Sequence, residues 1–366
     1  MFSVTQDKNT GILMALDKLR EKIEHLDRQI VSLINERYRY VQEVGKWKKD
    51  NALSIYVPER EKALLKKLSE FNEGPMTEDI LRAIYREIMS GALKLEMPLK
   101  VTFLGPEGTF THQAALAKFG HSVEYHPTAS IAGVFKDIET GRADYGCVPI
   151  ENSTEGAVNY TLDTLMMSTV GICAELNLRI HHNLMSRHAR NEITRIYSHP
   201  QTFGQCRQYL QENFPGIEQV EAGSNTRAAA LAAAEEGAAA IAPAIAAEMF
   251  QMNFIAENIE DFSNNTTRFM IVGNQSTIAT GDDKTSICFA IKDKVGALYD
   301  CIKPFKDEEI TMTMIESRPI KSSNWEYCFF IDLLGHRNDE KLLRASELLE
   351  KKCSFFKILG SYPRSF

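Results

Sequence analysis

Four basic side chains in the N-terminal part of the chain are spaced in a way that could grip an anion. An apolar seam runs through Leu16, Leu19, Ile23, Leu26, Ile30 and Leu33, then Val44 and Trp47. Arg37 stands 14 residues after Ile23, where an apolar side chain is due. An arginine there either snorkels or faces something anionic. Lys48 follows 11 residues later, about 20° round a helix and roughly 16 Å along it, so the two long cations can converge on one ligand. Arg20 lies 17 residues before Arg37, about 25 Å away along the same helix, too far for both to hold one small molecule. If Arg20 joins the site it comes from another, antiparallel copy of the helix. Arg60 adds a fourth cation. The alternative, solvated charges on a polar face, stays open at this level.

These cations need a helical scaffold, and the pattern supplies one. The seam predicts one long helix over about 13–50. Pro58 suits a first turn, so Glu59 to Phe71 reads as a second helix, and Thr77 can cap a third running to about Leu95. Such a trio makes a poor monomeric core and fits a dimerisation arm. After Met97-Pro98-Leu99 the period changes. Strands at Lys100 to Leu104, near Val123 and at Tyr145 to Ile150 alternate with helices from Thr111 and Ser130. A second set follows, with strands at Ile193 to Ser198 and near Val220, a helix over Gln205 to Asn213, and an Ala-rich helix, strand and helix. Two such sets predict two α/β lobes with a cleft between them. Thr280 to Lys284 reads as a polar linker, and 285–366 as strand, helix, strand, strand, helix, strand, the βαββαβ order of an α+β ferredoxin-like module.

Length and composition agree. A chain of 366 residues predicts two to four domains at about 100–200 residues each. With 44% hydrophobic and 25% charged residues it is an ordinary globular chain. Residues 1–98 hold 17 Lys+Arg against 16 Asp+Glu, so the acidic remainder, with 25 against 33, accounts for all of the formal charge of −7. Nothing here favours nucleic acid as a partner. No uninterrupted apolar run is long enough for a membrane span, and the first residues lack the pattern of a secretory signal. Seven cysteines without zinc or disulfide spacing read as reduced thiols, hence a cytoplasmic protein. No cofactor or metal is expected. The Gly105 to Gly108 loop matches neither phosphate-binding glycine pattern, and His181-His182 lacks further ligands.

Ordered motifs then identify a family. LREKI (19–23), INERYRYVQEVGKWK (34–48), PERE (58–61) and REIMSGALKLE (86–96) resemble the all-helical chorismate mutases. GPEGTFTHQAA (105–115), VPIENSTEGAV (148–158), SHPQTFGQC (198–206) and NNTTRF (264–269) resemble prephenate dehydratases. VGALY (295–299) and ESRP (316–319) sit where the ACT regulatory module carries its motifs. Together these are similar to the bifunctional chorismate mutase/prephenate dehydratases. The resemblance implies three units: an all-α three-helix mutase unit forming an intertwined dimer over 12–97, a two-lobed α/β dehydratase unit over 99–277, and an ACT domain over 285–364.

In the mutase unit the resemblance implies that Arg37, Arg60 and the partner copy's Arg20 position chorismate. Lys48 donates to the breaking ether oxygen, and Glu61 holds a substrate hydroxyl. Glu96 stands where bacterial members often carry glutamine; a carboxylate cannot donate to that oxygen, so Glu96 is expected to work as the neutral acid. Val57 replaces a common carboxylate, and Ala92 a usual serine. In the dehydratase unit Thr267 matches the catalytic threonine that helps hydroxide leave prephenate, with Thr109, Glu151, Asn152, Ser153, Ser198, Gln205 and Arg268 around the substrate. Arg268 has an alternative role, anchoring its own strand to a structural acid. Taken without the resemblance, residues 264–269 are a polar turn leading into a strand. In the ACT unit, Gly296, Ala297 and Leu298 with Glu316, Ser317, Arg318 and Pro319 of a neighbouring copy are expected to bind L-phenylalanine as feedback inhibitor. Two rival readings remain: an amino-acid-sensing regulator, and a dehydratase with a degenerate mutase unit.

Overall fold

The computed structural model describes residues 3–51, 53–292, 294–319 and 326–365. Its helical unit consists of α1 (Ser3–Asp50), α2 (Pro58–Phe71) and α3 (Glu78–Glu96). The first helix begins about ten residues before the expected start, because residues 3–12 contain no proline to stop it. Pro58 opens α2 without needing an N–H, and the Thr77 hydroxyl caps α3 by accepting from Ile80 N at 3.4 Å. At Gly45 the first and third helices nearly touch, since an added Cβ would stand 3.0 Å from Glu96 Cα. The seam of α1 is bare: Leu19, Ile23, Leu26, Ile30, Leu33 and Trp47 are each more than half exposed.

The first lobe runs β1 (Lys100–Leu104), α4 (Phe110–Phe119), β2 (Glu124–Thr128), α5 (Ile131–Glu139), β3 (Tyr145–Asn152), β4 (Gly156–Ala157), α6 (Asn159–Met167) and β5 (Gly171–Arg179). The chain then crosses to the second lobe. That lobe holds β6 (Asn183–Ser186), β7 (Arg195–Ser198), α7 (Pro200–Gln205), α8 (Arg207–Asn213), β8 (Glu218–Glu221), α9 (Asn225–Ala233), β9 (Ala238–Ala242), α10 (Ala244–Phe250) and β10 (Asn253–Ala256). It returns through β11 (Thr266–Gly273) to the centre of the first sheet, whose order is β2-β1-β3-β11-β5 with β4 on β3. The second sheet is ordered β10-β6-β9-β7-β8. Both sheets are mixed, parallel where helices cross over and antiparallel at β11 and β6.

The C-terminal unit contains β12 (Asp283–Lys292), α11 (Ala297–Asp307), β13 (Met312–Pro319), β14 (Glu326–Leu334), α12 (Glu340–Glu350) and β15 (Phe355–Pro363), with strand order β13-β14-β12-β15. The expected linker at 280–284 is only partly a linker. Asp283 is buried and accepts from Thr280 N, Thr280 Oγ1 and Gly281 N, which ends the turn and starts β12. One face of this sheet packs on its own helices through Ile287, Phe289, Phe305 and Leu342. The other shares a core with the first lobe, where Cys288, Phe330, Leu359 and Tyr362 meet Val148, Ile150, Met270 and Val272.

That shared core encloses charge. The Arg268 guanidinium lies 2.7 Å from Glu175, 2.5 Å from Asp332 and 3.1 Å from the Tyr362 hydroxyl, and Lys284 reaches Glu175 at 2.9 Å. Burial alone would raise the Glu175 carboxyl, but Arg268 and Lys284 outweigh it and hold it below its ordinary 4.5. Its stabilisation is therefore complete above that value and is lost as pH falls through the lower folded value. Glu175→Gln leaves Arg268 and Lys284 short of a counter-charge and should cost about 3–5 kcal/mol at neutral pH. Denaturant titrations of both proteins across pH 3–7 check this, the gap between them narrowing on the acid side.

Candidate functional sites

In the helical unit α1, α2 and α3 enclose a cavity of about 280 Å³. Arg37, Lys48, Arg60, Arg86 and Lys118 line it against only two carboxylates, Glu61 and Glu96, with Val41, Val44, Leu64 and Met89 as apolar wall. Five cations facing two anions leave a site that prefers a ligand with more than one negative charge. Gly45 lets α3 come close enough for Lys48 Nζ to donate to Glu96 Oε2 at 2.9 Å, and the same ammonium donates to Ile55 O at 2.7 Å. Among the described residues Arg37 Nη1 is buried without a hydrogen-bond partner, whereas buried polar groups in folded chains are almost always paired. An anion in the cavity would supply the missing acceptor. The sequence-predicted Arg37, Lys48, Arg60, Glu61 and Glu96 thus come together. Arg20 does not: it is exposed and contacts Asp17 of its own helix at 3.3 Å.

The second site lies where β11 enters and β3 leaves the first sheet. A bulge makes Arg268 pair with Glu151 and Phe269 with Pro149, leaving Ile150 as the extra residue. It brings Asn152 level with Thr267. Asn152 Nδ2 donates to Thr267 Oγ1 at 2.7 Å and to Asn265 Oδ1 at 2.9 Å. The Asn152 side-chain carbonyl accepts from Thr154 N, Thr154 Oγ1 and Glu155 N, so the amide has one sensible orientation. With its oxygen already accepting, the Thr267 hydroxyl has its proton free to donate. Asn265 Nδ2 reaches Gln205 Oε1 of the second lobe at 3.4 Å, and His182 Nε2 meets the same oxygen at 2.7 Å. Burial pushes the His182 imidazole below its ordinary value, so it is neutral. Thr109 caps α4, accepting from His112 N at 3.3 Å, and Ser153 Oγ accepts from Thr266 N at 3.0 Å. Gly108, at φ +79, lies against Met249 and Thr226 of the other lobe, with no room for a Cβ.

Three expected cleft residues are placed differently. Arg268 follows Thr267 on a strand, so its side chain leaves the opposite face and enters the buried ion cluster; of its two sequence readings, the structural anchor is the one found. Glu151 follows it to that face, with its carboxylate 3.8 Å from the guanidinium. Ser198 is fully buried, its hydroxyl within reach of Asn225 Oδ1 and Ile241 O.

A prephenate dehydratase family model matches residues 101–277, and a chorismate mutase type II family model matches residues 19–97. A bifunctional chorismate mutase/prephenate dehydratase of Stutzerimonas stutzeri is 44% identical over 96% of this chain and 98% of its own length. The chain belongs to the bifunctional chorismate mutase/prephenate dehydratase family. The namesake from Aquifex aeolicus is 42% identical over 96% of this chain and 98% of its own length. Among solved structures, a prephenate dehydratase from Arthrobacter aurescens in complex with L-Phe superposes with a TM-score of 0.67 at 34% identity, covering 73% of this chain and 90% of that one.

Within this family assignment, the cationic cavity lies in the mutase unit and the Asn152–Thr267 pair in the dehydratase unit. In the C-terminal unit Gly296, Ala297 and Leu298 line a hollow of about 230 Å³ with Lys292, Lys294, Tyr299, Tyr327 and Phe329. Glu316, Ser317, Arg318 and Pro319 stand on β13 beside it without lining it, Ser317 pairing with Phe329 and Pro319 with Tyr327, while Arg318 grips Asp163 of α6 at 2.9 Å. Among the described residues no group of three His, Cys, Asp or Glu is placed to hold a metal, and no helix is long and apolar enough to cross a membrane. Sequence reasoning missed Arg86 and Lys118 in the mutase cavity, Asn265 and His182 around the cleft, and Asn225 as the partner that holds Ser198. Asn265 and Asn225 had a signal, each standing in a polar turn at the start of an element. Lys118 had none, because it comes from another unit.

Proposed function

We propose that the helical cavity rearranges chorismate to prephenate and that the cleft at Thr267 converts prephenate to phenylpyruvate. The rearrangement is intramolecular: one C–O bond breaks while one C–C bond forms, with no nucleophile or cofactor. The site therefore has to hold the dicarboxylate in its compact conformer and meet the negative charge that grows on the ether oxygen. Arg37 and Arg60 take the carboxylates, Glu61 accepts from the ring hydroxyl, and Lys48, held by Glu96 at 2.9 Å, faces the ether oxygen. The observation that carries this reading is the buried, unpartnered Arg37 Nη1 inside a cavity rich in cations. In the second step prephenate loses carbon dioxide and hydroxide as its ring becomes aromatic. Thr267, held by Asn152, donates a hydrogen bond that steadies the departing hydroxide, and the hydroxide takes its proton from solvent to become water. Thr109, Ser153 and Gln205 complete the cleft as neutral polar groups.

The remaining parts of the reading concern assembly and control. The bare seam of α1 is the face for a second copy, whose antiparallel α1 delivers Arg20 to the cavity. The C-terminal unit is an ACT-type ferredoxin-like domain. Its hollow, with lysines at the rim and aromatic rings on the wall, suits L-phenylalanine, closed by Glu316 to Pro319 of a neighbouring copy; the L-Phe complex of the Arthrobacter aurescens relative supports this. Binding there inhibits the dehydratase through a coupling that also makes prephenate alter phenylalanine affinity. Free thiols at all seven cysteines, six of them buried, support a cytoplasmic enzyme.

Two experiments test the reading. Arg37→Ala should lower chorismate turnover on the order of 10²–10³-fold while leaving prephenate turnover intact, and Thr267→Ala should do the reverse. Unchanged turnover in either variant refutes the corresponding site. Ile30→Glu should convert the dimer to monomer in sedimentation velocity and remove mutase activity with it, while the dehydratase persists.

A further inference from the structure

One wall of the mutase cavity does not come from the mutase unit. Lys118 and Phe119 end α4, an element of the dehydratase unit, yet both line the cavity. Lys118 Nζ lies 3.2 Å from Glu61 Oε2 and 5.8 Å from the centroid of the Tyr56 ring. Both partners of the ion pair are largely withdrawn from water, at 17% and 18% exposure. Tyr56 is itself buried between the rings of Phe119 at 5.0 Å and Tyr145 at 5.2 Å. The dehydratase unit thus fixes the loop that joins α1 to α2, and with it the start of α2, where Arg60 and Glu61 stand.

We propose that Lys118 is a positioning residue of the mutase reaction, supplied by the dehydratase unit: it holds the Glu61 carboxylate toward the substrate hydroxyl. This rests on the mutase reading of the cavity and deepens it. Glu61 at the rim of a cationic cavity would otherwise swing toward Arg60 or Arg86, whose charges face the same space. Lys118, anchored on a helix of another unit, fixes its direction. The arrangement makes the mutase cavity complete only when the dehydratase unit is docked. It also gives the two sites one shared element. Thr109 caps the N-terminus of α4 at the dehydratase cleft, and Lys118 lies nine residues on, about 14 Å along the helix at the mutase cavity.

The test uses the full chain. Lys118→Met should raise the KM for chorismate about tenfold, the size expected for a lost charge-assisted hydrogen bond, with kcat changed by less than about twofold. Lys118→Arg, which keeps the charge and its reach, should restore most of the loss. Turnover of added prephenate by the same preparations reports that α4 is still folded. A Lys118→Met protein that turns over prephenate and shows an unaltered KM for chorismate overturns the proposal, as does an arginine variant no better than methionine. If Lys118→Met fails to fold because Glu61 is left unpaired, the Glu61→Gln/Lys118→Met double variant decides. Working through Glu61, the double variant should be no worse than Glu61→Gln alone, and a further loss in KM contradicts that route. A wild-type chain that does not turn over chorismate at all would instead refute the mutase reading itself.

Discussion

A small dicarboxylate leaves water only if both of its charges find partners, and everything that is specific about this chain follows from meeting that demand twice. Chorismate and prephenate are both dianions, yet the two sites receive them with opposite chemistry. The mutase cavity assembles cations from three helices and a neighbouring unit, and balances them incompletely with Glu61 and Glu96. Its incompleteness is what attracts the ligand. The dehydratase cleft instead presents hydroxyls and amides, because the arginine beside Thr267 is turned away. Prephenate must give up a carboxylate as carbon dioxide, and a full positive charge bound to that group would stabilise the ground state more than the transition state.

Strand β11 makes this division possible. Alternation sends Thr267 to the cleft and Arg268 to the opposite face, where Glu175, Asp332 and Lys284 neutralise it in the core shared with the C-terminal sheet. Thr267 is thereby a direct neighbour of the residue that docks the third unit. The same strand thus touches Asp332 of the C-terminal sheet through Arg268 and Asn152 of the first sheet through Thr267. The bulge at Ile150 belongs to the same design, since without it Asn152 would face the ion cluster and Glu151 the cleft.

Much of this is legible in the residues. The 3,4 spacing of apolar positions, Pro58 and Thr77 locate the three helices, and the helical offset between Arg37 and Lys48 predicts their convergence. The position of Arg20 is equally readable as too distant for its own chain. Legibility fails where strand pairing or long-range packing decides. Period-2 alternation separates Thr267 from Arg268, but a motif read as a string keeps them together, which is why the string alone points Arg268 into the cleft. Glu151 and Asn152 depend on a bulge that no local signal announces. Ser198 reads as a cleft hydroxyl because its burial comes from β9 and α9, elements that pack over it from a distance of more than twenty residues. Lys118 needs the docking of two units, a fact of tertiary structure alone.

The central claim is that one chain binds one dianion through cations and the next through neutral donors, and ionic strength separates the two directly. Screening shortens from about 30 Å at 0.01 M salt to about 3 Å at 1 M, which weakens attraction to a cationic cavity far more than hydrogen bonding in a neutral cleft. The decisive measurement is the KM for chorismate and the KM for prephenate on the intact protein across that range. The account predicts that the chorismate value climbs severalfold with salt while the prephenate value stays nearly flat; equal slopes, or a steeper rise for prephenate, would contradict it.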